Sequence, residues 1–186
     1  RITDDVIDEA VNRLPPEHKI IAGEEIRSKL IYRRDNLGEI SNDFYELIND
    51  VVDIYSSSKD DFIFVQRLND EKTLVEVFKR DKKTGDKEGQ AIYQKFFDNK
   101  LTSEIRIYTL DGDDKVIVEG KTDSSPLVRI IGGEGKDEFI DSSNVDGYFL
   151  LFTPIPDEEN KTEFYDSGNK TILSSNPGTS YDDTEI

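Results

Sequence analysis

The chain has no cysteine, no methionine and no tryptophan, only one histidine, and 24 basic residues against 41 acidic ones. Without cysteine there is no disulfide framework, no thiolate nucleophile and no cysteine-ligated zinc or iron-sulfur site. That leaves the compartment open. His18, lone and beside Pro15-Pro16, reads as a surface or partly packed residue rather than a ligand. No apolar run approaches the roughly 20 residues of a membrane-spanning helix; the longest, Tyr148 to Phe152, has the length of a strand. No secretory leader pattern is present. Because the sequence starts at Arg1 and lacks methionine, it is expected to be a piece of a longer protein, and the missing leader then says nothing about destination. The net charge of −17 repels phosphate backbones and anionic headgroups, so neither nucleic-acid binding nor direct membrane insertion is expected. The acidity itself reads in two ways, as a solvated surface or as an attractor of divalent cations.

What is present falls into three stretches: a helical segment at 1–52 packing on the β part, a β domain at 53–173, and a linker or disordered tail at 174–186. In the first, Val6, Ile7, Ala10, Val11 and Leu14 recur at helical spacing behind Thr3 as N-cap, and Pro15-Pro16 ends the helix. A second helix is expected from about Gly23, and a third from about Ser41 with Phe44, Leu47, Ile48, Val51 and Val52 on one face. The basic cluster from Arg27 to Arg34 reads first as partner to nearby acids and second as an anion site. From Asp61 the period changes to two: Phe62 to Leu68 and Thr73 to Lys79 read as a hairpin, followed by a strand at Gln90 to Phe97. The fold class expected is α+β, mainly β: N-terminal helices, then antiparallel strands, then a short roll- or solenoid-like β stack.

The stack is read from Ile105 to Asp141, where one cassette of apolar β residues, Gly/Asp turn and more apolar β residues occurs at 109–117 and again at 132–140, offset by 137 − 114 = 23 residues. The second copy fits the β-roll pattern G-G-x-G-x-D followed by a large apolar residue, while the first lacks the leading glycines. A third, degenerate copy follows at Phe164 to Leu173. If the turns stack as successive coils, Asp111, Asp113, Asp114, Glu134 and Asp137 are candidate ligands for Ca2+, a hard cation that needs six to eight oxygens. The plainer reading is structural: glycine supplies the dihedral and aspartate bonds the backbone. A separate candidate is an interaction patch at Tyr148, Phe149, Leu151 and Phe152, because exposed aromatic and aliphatic clusters mark interfaces; a buried core strand is the alternative.

Several motifs together resemble a family of Bacteroidetes outer-membrane proteins in which a calcineurin-like metallophosphoesterase domain is followed by a soluble connecting region and a BamA/TamA-like surface-antigen barrel. They are Arg13-Leu14-Pro15-Pro16-Glu17, Lys29-Leu30 with Arg33-Arg34-Asp35-Asn36-Leu37, Glu104 to Tyr108, Leu110 to Asp114, Val128 to Asp137, and Phe164 to Ser167. The likeness covers the connecting region alone. A dinuclear phosphoesterase needs several histidine and carboxylate ligands, and a barrel needs a series of amphipathic strands of about ten residues; neither is here. The resemblance therefore implies a non-catalytic connecting or interaction module of a cell-envelope protein, outer-membrane-associated on the periplasmic or surface side, without cofactor. Its partners would be the phosphoesterase and barrel domains of the same polypeptide. The alternative is a calcium-dependent module binding glycan or peptide. An enzyme using paired acids is disfavoured, because glycosidic chemistry needs two carboxylates at a set separation in a cleft.

Overall fold

The computed structural model describes residues 2–145, 147–150, 153–156, 161–166 and 171–184. It is α+β and mainly β, in two compact units, Arg1–Leu47 and Ile48–Ile186.

The first unit is helical. Helix α1 (Asp4–Asn12) starts where the Val6 N–H donates to the Thr3 hydroxyl, with Asp4 and Asp5 at the positive end of the helix dipole. Helix α2 (Pro16–Asp35) begins about two turns earlier than its apolar pattern suggests, because Pro16 sits at the first helical position, where its missing N–H costs nothing. Helix α3 (Leu37–Asp50) follows after Asn36 alone; the Asn36 N–H reaches the Tyr32 carbonyl and the Ile40 N–H the Asn36 carbonyl, each at 3.1 Å. α1 lies against α2 through buried Ile7, Val11 and Gly23. The basic cluster is used in ion pairs: Arg27 with Asp8 at 2.5 Å, Arg34 with Asp4 and Asp35, Lys29 with Glu25.

Val51 and Val52, expected on the third helix, instead open strand β1 (Val51–Tyr55). Parallel pairing with β5 (Glu104–Tyr108), Val52 opposite Ile105, outweighs the helical spacing of two residues that are β-branched in any case. Strand β2 (Asp61–Asn69) and the antiparallel pair β3 (Lys72–Arg80) and β4 (Lys87–Asp98) come between. After β5 the chain runs through β6 (Lys115–Thr122), β7 (Leu127–Ile131) and β8 (Glu138–Asp141). A short excursion, β9 (Asn144–Val145), β10 (Gly147–Leu150) and β11 (Thr153–Pro156), leads to β12 (Thr162–Tyr165), β13 (Ile172–Ser174) and β14 (Thr179–Asp182). β14 lies within 174–186, expected to be linker or tail, and pairs in parallel with β12.

The chain alternates between two sheets. One is parallel throughout, in the order β1-β5-β7-β12-β14; the other runs β13-β8-β6-β2-β3-β4 and is parallel as far as β2. Each pair of strands, one from either sheet, is a coil, and successive coils are in register: Ile105 faces Val128 and Val116 faces Phe139, both 23 residues on. The step from Val52 to Ile105 is 53 residues, and the surplus of 53 − 23 = 30 is the β3–β4 hairpin with its turns. From Val128 to Thr162 it is 34, the surplus of 34 − 23 = 11 holding the excursion. Inward residues alternate with outward ones, as sheet geometry requires. Ile54, Ile105, Ile107, Val128, Ile130 and Phe164 of the first sheet meet Ile63, Val65, Val116, Val118 and Phe139 of the second, with Phe139 and Phe164 stacked at 4.9 Å. Val75, Val77 and Phe97 of the hairpin join the same core. Each such side chain contributes about 1.5–3 kcal/mol on burial.

Candidate functional site

Both Gly/Asp turns lie at the same end of adjacent coils, joining β5 to β6 and β7 to β8. They are stacked closely enough that glycine is compulsory. A Cβ on Gly133 would stand 1.5 Å from the Leu110 carbonyl oxygen, and one on Gly135 would stand 1.9 Å from that of Gly112. The Gly112 N–H donates to the Glu134 carbonyl at 2.9 Å, so one turn seats on the next through main-chain contact.

The aspartates extend this contact into two columns. In the inner one, the Asp61 N–H donates to Asp114 Oδ1 at 2.7 Å and the Asp114 N–H to Asp137 Oδ1 at 2.9 Å, one coil further on. Asp61 Oδ2 accepts the Ser57 N–H at 2.6 Å and its hydroxyl at 2.8 Å. In the outer column the Asp113 N–H reaches Asp60 Oδ1 at 3.2 Å and the Lys136 N–H reaches Asp113 Oδ1 at 2.9 Å. Arg80 of β3 clamps the turn from the side. Its Nη1 donates to the Asp113 and Asp114 carbonyls at 2.9 and 3.1 Å, its Nε to Gly85, and its Nη2 pairs with Glu138 at 3.0 Å.

The electrostatics follow from this stacking. Asp61, Asp114 and Asp137 are buried. Burial pushes the Asp114 carboxyl up to about 8, with the like charges of Asp137 and Asp61 adding to the rise; the Asp61 N–H bond opposes it. Asp137 goes up to about 6, again by burial first, against the Asp114 N–H bond and Arg80. Asp60 moves down, held by its Lys82 ion pair and the Asp113 N–H. Asp114 Oδ2 is fully buried and accepts no hydrogen bond from the described residues, the Thr109 hydroxyl donating to the Ile131 carbonyl at 3.4 Å.

The five candidate calcium ligands thus share one end of the coil in different settings. Asp114 and Asp137 are buried and point along the coil axis, whereas Asp111, Asp113 and Glu134 are exposed. Among the described residues no group of three or more Asp, Glu or His side chains is placed to hold a metal ion. A cleft of about 340 Å³ opens beside the turns, lined by Asp60, Arg80, Lys82, Asp113, Lys136 and Asp137 among others, where acids and bases stand in mixed charge. Of the expected interaction patch, Leu151 and Phe152 lie outside the described residues. Tyr148 and Phe149 fall in β10, opposite Ile155 and Pro154, and their side chains lie outside the description too.

Two residues in the interior went unnoticed in the sequence. Asp61 heads a further copy of the pattern Asp-x-apolar-apolar, alongside Asp114 and Asp137, concealed because the hairpin stretches its spacing to 53 residues. Arg67, at an inward position of β2, reaches across the coil's other end. Its Nη1 donates to the Ser125 hydroxyl and the Pro126 carbonyl (3.0 Å), its Nη2 to the Lys161 carbonyl and Thr162 hydroxyl (both 3.1 Å). Burial lowers its pKa to about 10, with Asp141 opposing, so it remains a cation at neutral pH. No family model, no curated protein and no solved structure matches the chain.

Proposed function

We propose that this chain is a non-catalytic connecting and interaction module of a cell-envelope protein associated with the outer membrane, set between a phosphoesterase domain and a barrel of the same polypeptide. The observation that carries the non-catalytic part is how the turn acids are employed. Asp61, Asp113, Asp114 and Asp137 each give a carboxylate oxygen to a backbone N–H, for Asp113, Asp114 and Asp137 one on the neighbouring coil, and so hold coil to coil. Carboxylates fixed in this way form the scaffold of the roll, and the resemblance supplies the setting. The test is fractionation of cells producing the protein, combined with assays on nitrophenyl phosphates and glycosides. The expected result is antigen in the outer-membrane fraction and no turnover by the purified chain. Antigen confined to the cytosol, or turnover abolished by Asp113→Asn, overturns the reading.

A second reading, a calcium-dependent module for glycan or peptide, draws on one observation: the unpartnered, buried Asp114 Oδ2 is an oxygen that a cation could take. Calcium bound there would raise the melting temperature by mass action. No shift between excess chelator and millimolar calcium removes this reading.

A further inference from the structure

The helical unit carries a half-covered apolar stripe. Gly23, Ile26 and Leu30 of α2 and Leu37, Ile40, Phe44 and Leu47 of α3 follow one another in steps of three and four, broken only at the α2–α3 junction, the spacing of a helix seam. α1 covers the first half. Val11 approaches Gly23, Asp8 pairs with Arg27 and Asp4 with Arg34, and there the cover ends, beside a cleft that includes Ile2 and Leu37. Beyond it Leu37, Ile40, Phe44 and Leu47 are 60, 54, 60 and 71 % exposed, and no residue of α3 is buried. Isolated exposed apolar residues are ordinary, but four in seam register that continue an existing helix–helix interface are not.

Charge selects the occupant. From Leu37 to Asp50 there is no lysine or arginine, while Glu39, Asp43, Glu46 and Asp50 fall, at 3.6 residues per turn, on one side of the stripe. An antiparallel second copy would set Asp43 and Asp50 against the same acids, and anionic headgroups would be repelled. We propose that the α3 stripe docks an amphipathic helix of a partner chain, whose apolar seam continues the cover begun by α1 and whose flank carries lysine or arginine opposite Asp43 and Asp50. This surface stands apart from the connecting-module reading: that reading fails on location or turnover, this one on labelling and peptide binding.

The absence of cysteine gives a direct assay. In Leu47→Cys the single thiol should react with a maleimide at close to the rate of a free peptide thiol. The probe partner is a synthetic 21-residue helix with leucine at seam positions and lysine on both flanks, titrated into the whole chain at physiological salt. It should bind, slow the labelling of Leu47→Cys, and bind Phe44→Ser/Leu47→Ser about tenfold or more weaker, since seam anchors carry most of such an interface. The same peptide with glutamate flanks should bind at least tenfold weaker than the lysine form. Slow labelling of the free chain means that the stripe is already covered and overturns the proposal. So does equal binding to the double-serine variant, which would be adsorption to an acidic surface. A concentration-dependent dimer abolished by Phe44→Ser assigns the stripe to a second copy and overturns it as well.

Discussion

Replacing Asp114 by asparagine should stabilise the β unit at neutral pH and weaken it in mild acid. Asparagine keeps the oxygen that accepts the Asp61 N–H at 2.7 Å and cannot ionise. In the native chain the folded state holds the Asp114 proton up to about 8, whereas the unfolded chain releases it near the ordinary value of 3.8. Between these values the unfolded state binds fewer protons, so stability falls as pH rises, and above about 8 the deficit stays constant. At pH 7 the gap is 7 − 3.8 = 3.2 units, which at 1.36 kcal/mol per unit is on the order of 4 kcal/mol. The new amide N–H₂ takes the place of the unpartnered Oδ2, and a buried donor without an acceptor costs about 1–3 kcal/mol. A net gain of about 1–3 kcal/mol at pH 7 remains, and near pH 4, where the ionisation gain has vanished, a loss of about 1–3 kcal/mol. The assay is urea unfolding of both proteins from pH 4 to 8, followed by the amide nuclear magnetic resonance signals of β6 and β8 so that the helical unit does not mix in. A stability difference that stays flat across this range, or an asparagine variant that is the weaker at pH 7, refutes the reasoning.

Gly133→Ala should cost about 3 kcal/mol or more by forcing the Leu110 carbonyl away, while Gly38→Ala, with nothing within 4 Å in an exposed helix, should gain up to about 1 kcal/mol; paired thermal melts check both. Arg67→Met should lose about 3–5 kcal/mol, because the Pro126 and Lys161 carbonyls and the Thr162 hydroxyl lose a charged donor, and chemical denaturation measures it. Phe139→Ala should cost about 3–5 kcal/mol through the cavity left beside Phe164, against less than 1 kcal/mol for the exposed Phe96→Ala control.

The coil was legible where spacing was undisturbed. The 23-residue offset of the two turns is the register of β5 on β7 and β6 on β8, and the degenerate third copy leads into β13. Insertions hid the remainder. Asp61 begins its own copy of the pattern, but the β3–β4 hairpin moves it out of period, and no local feature of the sequence links residues 53 apart. Val51 and Val52 were ambiguous for a different reason: one apolar pair suits the end of a helix as well as the start of a strand, and only the partner strand β5 decides. β14 is short and polar with little to bury, so nothing within it announces a strand; its pairing with β12 supplies the backbone partners. Of the candidate ligands, residue type could not tell buried Asp114 and Asp137 from exposed Asp111 and Glu134, since that depends on which side of the turn faces the coil. Arg67 sits at an inward position of an alternating strand, and the alternation alone marks it as a buried cation in need of acceptors.

Cross-strand contacts between protons of the main chain, read by nuclear magnetic resonance on the labelled chain, go to the heart of the matter. Parallel coils require close approaches between Ile105 and Val128 and between Val116 and Phe139, every pair 23 residues apart and advancing together along the strands. Contacts whose offsets shrink by two for each residue gained, the signature of an antiparallel hairpin between β6 and β8, would contradict the stacked turns.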